Sequence, residues 1–199
     1  MTPQKFKDSW TNIDNPLSPL IPSRLDRFNL SKSAFDFLTI AGLPTYCEPN
    51  LNFANDSDDK FDGINKLNEV YDLFDKTVDY EKYVIIGSCH DGNVIAINTD
   101  NNDEIEELEH EDFFSSKFFN SSINLLADFL ILYRDFENAV WVGKDQKDNM
   151  QFFNFTDDQF ETLKEIMLHI DEKAITIDGF WKSELNALLS IRQEYFGSA

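Results

Sequence analysis

The run Gly87-Ser88-Cys89-His90-Asp91-Gly92 sets a hydroxyl, a thiol, an imidazole and a carboxyl at consecutive positions, the residue types of a nucleophile served by a base and an acid. Such groups act only where they converge on one reacting atom, whereas neighbours at a strand end point to opposite faces or around a turn. The run therefore reads as a hairpin end with an inert thiol. A second stretch, Asn98-Thr99-Asp100-Asn101-Asn102-Asp103-Glu104-Ile105-Glu106-Glu107-Leu108-Glu109, puts oxygen ligands at the first, third, fifth and twelfth positions of a calcium loop, with Ile105 at the eighth. Asp103 stands where that loop turns on glycine, Asn98 replaces the first Asp, and the segment entering it is β-branched rather than helical. A turn or a solvated acidic rim is the expectation. His110 and His169 have no metal-ligand spacing to another His or Cys. The seven glycines are scattered singly, so no loop cradles a phosphate. No enzymatic activity, cofactor or metal is expected from these residues.

The elements that carry them are legible. Tyr83-Val84-Ile85-Ile86-Gly87 and Val94-Ile95-Ala96-Ile97 are apolar, largely β-branched runs separated by polar residues that include Asp91-Gly92, a hairpin signal. Gly92 takes positive φ without a Cβ clash, and Asp91 tolerates the left-handed region. Both runs are apolar at consecutive positions, so both faces of this sheet should be covered, with helices as the cover. Between Asn98 and Asp112 there are eight acids and no Lys or Arg. Ile105 and Leu108 are three apart, a spacing that suits a helix better than a strand, so local pattern leaves this piece open.

Asn120, Ser121 or Ser122 caps a helix to about Phe136, with Ile123, Leu126, Ala127, Leu130 and Tyr133 at helical spacing. Ala139-Val140-Trp141-Val142 extends that helix or forms a strand. Thr156-Asp157-Asp158-Gln159 is a capping box ahead of a stripe of Phe160, Leu163, Met167 and Ile170. A last helix is expected from about Phe180 to Tyr195. Upstream, Ser31 or Ser33 starts a helix that Gly42 ends and Pro44 forbids from continuing. Pro16, Pro19 and Pro22 make the preceding segment extended or turned. Glu48 to Asp62 reads as a surface loop over Leu51 and Phe53, or equally as a short edge strand, and Leu67 to Phe74 has no firm period.

The 199 residues include 19 Phe and suit one core. Their 37 Asp and Glu against 17 Lys and Arg give a net charge of −20. A surface of that sign repels phosphate backbones and anionic headgroups, which argues against direct nucleic-acid or membrane binding and for a basic protein partner, although solubility alone also accounts for it. Two cysteines, Cys47 and Cys89, make no disulfide scaffold, and no secretory signal or apolar run of spanning length is visible, so a reducing cytoplasm is the expected location.

Together these residues resemble the SUKH superfamily of bacterial immunity proteins, and within it the fourth subgroup. The resemblance rests on an ordered set: Phe37-Leu38 with Gly42-Leu43-Pro44, Val84-Ile85-Ile86-Gly87 with Ile95-Ala96-Ile97, Phe119-Asn120-Ser121-Ser122, His169-Ile170-Asp171 with Ala174, and Phe180-Trp181 before Leu185 and Leu188. It departs where relatives place a glycine before the third strand and this chain has Asn101-Asn102-Asp103. It spans roughly Phe35 to Leu189 and implies an α+β domain with a mixed, mainly antiparallel sheet with a central hairpin, backed by helices; length and prolines make residues 1–199 one domain, with residues 1–30 as a proline-containing strap. It also implies no catalytic residues and the neutralisation of a cognate toxin, often a nuclease or other nucleic-acid-modifying domain. A regulatory or scaffolding module without a toxin is the alternative. The acids expected to face a basic toxin are Asp100, Asp103, Glu104, Glu106, Glu107, Glu109, Glu111 and Asp112, with Asp56, Asp58 and Asp59. The same acids also fit a merely solvated surface.

Overall fold

A computed structural model describes residues 1–72, 79–145 and 147–197. Helix α1 (Pro3–Ser9) starts at Thr2, whose hydroxyl accepts the Lys5 N–H, and sets the Phe6 ring 5.5 Å from that of Phe37. Residues 1–30, expected as a proline-containing strap, include helical turns here and at α2 (Pro22–Leu25). One buried Phe is too sparse a signal to show a period. Between those turns, β1 (Leu17–Ser18) pairs with β2 (Leu43–Pro44) around α3 (Lys32–Ile40), which Ser31 caps. Gly42 ends α3 at φ +67°, and a Cβ there would lie 2.1 Å from the Ser18 carbonyl oxygen, so the turn accepts no side chain.

The remaining strands form one sheet: β3 (Tyr46–Cys47), β4 (Leu51–Phe53), β5 (Asn65–Lys66), β6 (Tyr83–Ser88), β7 (Val94–Asn98), β8 (Glu104–Glu109) and β9 (Ser115–Asn120). Their order is β3-β4-β6-β7-β8-β9, with β5 also on β6. Every named pairing among the described residues is antiparallel, and parallel pairing is confined to the isolated bridges Asn55–Gly63 and Phe118–Gly179. The β6–β7 hairpin closes through Gly92 at φ +78°. Leu51 and Phe53 belong to a short strand, as the second of the two readings for that stretch had it, but not to an edge one, since β4 pairs with β3 on one side and β6 on the other. Leu67 opens the single turn α4 (Leu67–Val70), while Leu73 and Phe74 lie outside the described residues.

Both faces of the sheet are covered, which explains the unalternating apolar runs. Val84, Ile86, Ile95, Ile97, Ile105 and Phe119 join the larger core, and Tyr83, Ile85, Val94, Ala96 and Leu108 join a smaller one with Leu67, Val70 and Tyr80. Full burial of each large side chain stabilises the fold by about 1.5–3 kcal/mol. Helices cover the first face: α5 (Ile123–Trp141), α6 (Asp157–Ile170), α7 (Glu172–Thr176) and α8 (Phe180–Phe196), with a 3-10 turn at Asn149–Phe153. Ser122 caps α5, which continues through Val140, and Thr156 with Gln159 forms the expected capping box of α6. Among the described residues, the cover on the second face is α4 with Tyr80 and the half-buried Tyr71 and Phe114.

Ile105 to Glu109 is a strand, not the helix that the spacing of Ile105 and Leu108 suggests. The backbone of β8 pairs on both sides, with β7 and with β9, and those bonds outweigh a three-residue spacing. The turn before it does without glycine: Asn102 and Asp103 take φ +53° and +59°, a region that Asn and Asp tolerate better than other side chains.

Candidate partner-binding face

Cys89 is 3% exposed, with Sγ 3.5 Å from a Glu107 carboxylate oxygen. Burial, then the Glu107 charge, pushes its thiol up to about 12, so it stays protonated near neutrality. His90 pairs with Asp91 at 3.0 Å, out in solvent. The run that looked like a nucleophile, base and acid is a hairpin end. His110 holds Asn93 through its ring Nδ1 at 2.9 Å, and His169 is exposed near the end of α6.

The calcium-like stretch is also dispersed. The Asn98 side-chain amide donates to Glu106 at 2.7 Å, Asp103 accepts the Ser31 N–H at 2.7 Å, and Glu109 pairs with Lys117 at 2.7 Å. These oxygens point into different parts of the fold and enclose no common centre.

The eleven acids divide by environment. Asp103, Glu106 and Glu107 are 5%, 8% and 7% exposed, so they offer a partner almost no surface. As consecutive residues of a strand with two covered faces, Glu106 and Glu107 point to opposite sides, and each meets donors from neighbouring chain. Glu106 accepts from Asn98 and from the Tyr83 hydroxyl at 3.1 Å, while Glu107 accepts from the Asn93 amide at 2.8 Å. Glu104 pairs with Lys173 at 2.6 Å, and Arg24 binds Asp56 and Asp58 at 2.5 and 2.8 Å. Asp59 accepts the Phe61 and Asp62 backbone N–H groups, which hold its carboxyl below the usual range. Asp100, Glu111 and Asp112 are exposed, Asp100 in the loop before β8 and the other two in the loop after it.

On the second face of the sheet, Tyr71 connects two of these acidic stretches. A concavity of about 450 Å³ is lined by Phe61 and Asp62 from one loop, Val70 and Tyr71 from α4 and its end, and Ile85 and Val94 from the sheet. The Tyr71 ring in turn lies 4.8 Å from Phe114, in the loop that carries Glu111 and Asp112. Phe61 and Phe113 are 68% and 84% exposed beside these acids. Sequence reasoning passed over both aromatics, although Phe113-Phe114 next to Glu111-Asp112 was a visible signal. Phe113 and Phe114 take φ +51° and +57°, which costs about 1–2 kcal/mol per residue for a side chain with a Cβ.

A second concavity, about 530 Å³, lies where α5 and α8 meet the loop at Glu48 to Asn50, with Tyr133, Trp141 and Phe152 in its wall. Burial, then the Glu48 charge, pushes the Glu137 carboxyl up, and burial raises Glu184 against the opposing hydrogen bond from Tyr133 at 2.7 Å.

The SUKH-4 immunity protein family model matches residues 17–187. The chain belongs to the SUKH-4 immunity protein family. No curated protein and no solved structure is significantly similar to it. Much of what made the chain resemble SUKH-4 proteins is structural: Phe119 stacks on Phe180 at 4.5 Å, and Asn120 and Ser121 bind Asp171. In this SUKH-4 chain those residues hold β9 to α7 and α8, away from any open face.

Proposed function

We propose that this SUKH-4 protein neutralises a cognate toxin by binding it and blocking its working surface, with no covalent chemistry of its own. The observation that carries the reading is the family match across residues 17–187. A net charge of −20 supports a basic partner, and a nuclease or other nucleic-acid-modifying toxin must present cations to phosphate. Fields of opposite sign speed encounter to on the order of 10⁸–10⁹ M⁻¹s⁻¹ at low salt, the rate an inhibitor of a lethal enzyme needs. The contact we assign is the second sheet face with Glu111, Asp112, Phe113 and the loop at Asp56 to Asp62, exposed acids and aromatics that Tyr71 connects through the concavity wall and its packing on Phe114. Two free, buried cysteines suit action in a reducing cytoplasm.

Co-expression with the protein encoded beside this gene, as candidate toxin, tests the proposal. Growth should be rescued, and a catalytically inactivated toxin should co-purify with the immunity protein. Full toxicity in cells that hold ample folded immunity protein would refute it.

A further inference from the structure

The loops at the two ends of β8 are built alike. In the first, Asn101 and Asp103 N–H groups donate to the Asn98 carbonyl and Glu104 N–H to that of Asn101, at 3.0–3.1 Å. In the second, Asp112 and Phe114 donate to Glu109 and Ser115 to Asp112, at 2.9–3.1 Å. Each loop sets its last two residues at positive φ, Asn102 and Asp103 in one and Phe113 and Phe114 in the other. The same backbone is therefore made once with the residue types that tolerate it and once with two aromatics that do not.

Phe114 has an internal use, since it packs on Tyr71 over the smaller core. Among the described residues Phe113 has none: its side chain is 84% exposed, and its carbonyl alone accepts a hydrogen bond, from the Tyr80 hydroxyl at 3.4 Å. Asn at this position would relieve both the strain and the exposed apolar area. Strain kept at an exposed aromatic points outward, to a partner.

We propose that Phe113 is the apolar anchor of the toxin contact and enters an apolar socket ringed by Lys and Arg on the partner. This rests on the immunity reading above. The flanking Glu111 and Asp112 are exposed and call for cations around the socket, and the Ser115 hydroxyl holds Asp112 in place at 2.7 Å. The tip is rigid because its backbone is bonded across the loop and Phe114 is pinned to Tyr71, so little freedom is lost on docking. A buried aromatic in a ring of charge is the common form of an interface hot spot.

The test is Phe113→Asn, which copies Asn102 at the matching position, with Phe113→Gly as a second substitution that accepts positive φ. The probe is the candidate toxin of that co-expression test, catalytically inactivated. Both variants should keep or raise the melting temperature while the Kd rises at least about 30-fold, mainly through faster dissociation, and Phe113→Leu should recover part of the loss. Folded Asn and Gly variants that bind the toxin as the unaltered protein does would overturn the anchor and leave the immunity reading standing. Absence of binding by the unaltered protein would overturn both. A Phe113-dependent dimer in sedimentation, with toxin affinity unchanged, would give the side chain to a second copy of this chain and also overturn the proposal.

Discussion

The Trp181 indole donates its Nε1–H to the Asn120 side-chain oxygen at 2.9 Å, and neither residue has any exposed surface. Asn120 turns its amide nitrogen to Asp171 at 3.3 Å, and Ser121 donates its N–H and its hydroxyl to the same carboxylate at 2.8 Å each. The amide is a bridge between an indole that can only donate and a carboxylate that can only accept. Asn120→Ala should cost about 2–4 kcal/mol in urea unfolding, because a buried N–H loses its acceptor and a buried carboxylate loses a donor. A loss below about 1 kcal/mol would mean that water replaces the bridge.

Glu106 and Glu107 should behave as structural residues. Replacing either with Ala leaves buried donors unpaired, Tyr83 and Asn98 for the first and Asn93 for the second, at a cost of about 1–3 kcal/mol. Association with the toxin should be unchanged.

The paired change Glu111→Gln with Asp112→Asn should do the reverse. Stability should hold, and the association rate should fall several-fold at low salt, with the difference shrinking above about 0.15 M as charges are screened. Stopped-flow mixing at two ionic strengths separates this from the Glu106 and Glu107 effects. An unchanged rate would remove this loop's charge from the encounter.

Glu137 links the α5–α8 cleft to pH. Burial, with Glu48 second, raises its carboxyl above the ordinary 4.5, so between the two values the folded chain holds more protons than the unfolded one and stability falls as pH rises. Glu137→Gln should therefore raise the urea midpoint at pH 7, and the gain should vanish below about pH 4, where the carboxyl is neutral in both states. A gain that is constant from pH 4 to 8 would contradict this origin.

Cys89 should react with a disulfide reagent at pH 8 on the order of 10³-fold more slowly than a free thiol while the chain is folded, given a thiol pushed up to about 12. Burial raises the Cys47 thiol as well, and unfolding in guanidinium should release both at once. Rapid native labelling of Cys89 would show that the hairpin end opens.

Much of the frame follows from local chemistry. The β6–β7 hairpin lies where two β-branched runs flank Asp91-Gly92, and α3, α5 and α6 start at Ser31, Ser122 and Thr156, each satisfying a free N–H of the first turn. Those signals involve residues within a few positions of one another, so the sequence alone contains them. The ordered motifs likewise carried the SUKH-4 family, because they are spaced along the chain as they are needed to build one buried cluster.

The acidic stretch is where local pattern ends. Nothing between Asn98 and Asp112 distinguishes Glu106 and Glu107 from Glu111 and Asp112, yet the first pair is buried and the second is exposed. The difference comes from Asn93, Asn98 and Tyr83, which reach the first pair only after β8 has paired with β7. Phe113 is the same case from the other side: its left-handed backbone follows from closing β8 onto β9, and its exposure follows from Phe114 taking the place over Tyr71. The sequence by itself determined the hairpin, the helix starts, the charge and the family, each set by neighbours along the chain or by composition. Tertiary structure alone decided which acids and which aromatic face outward, because a side chain is buried or presented according to partners far away in sequence.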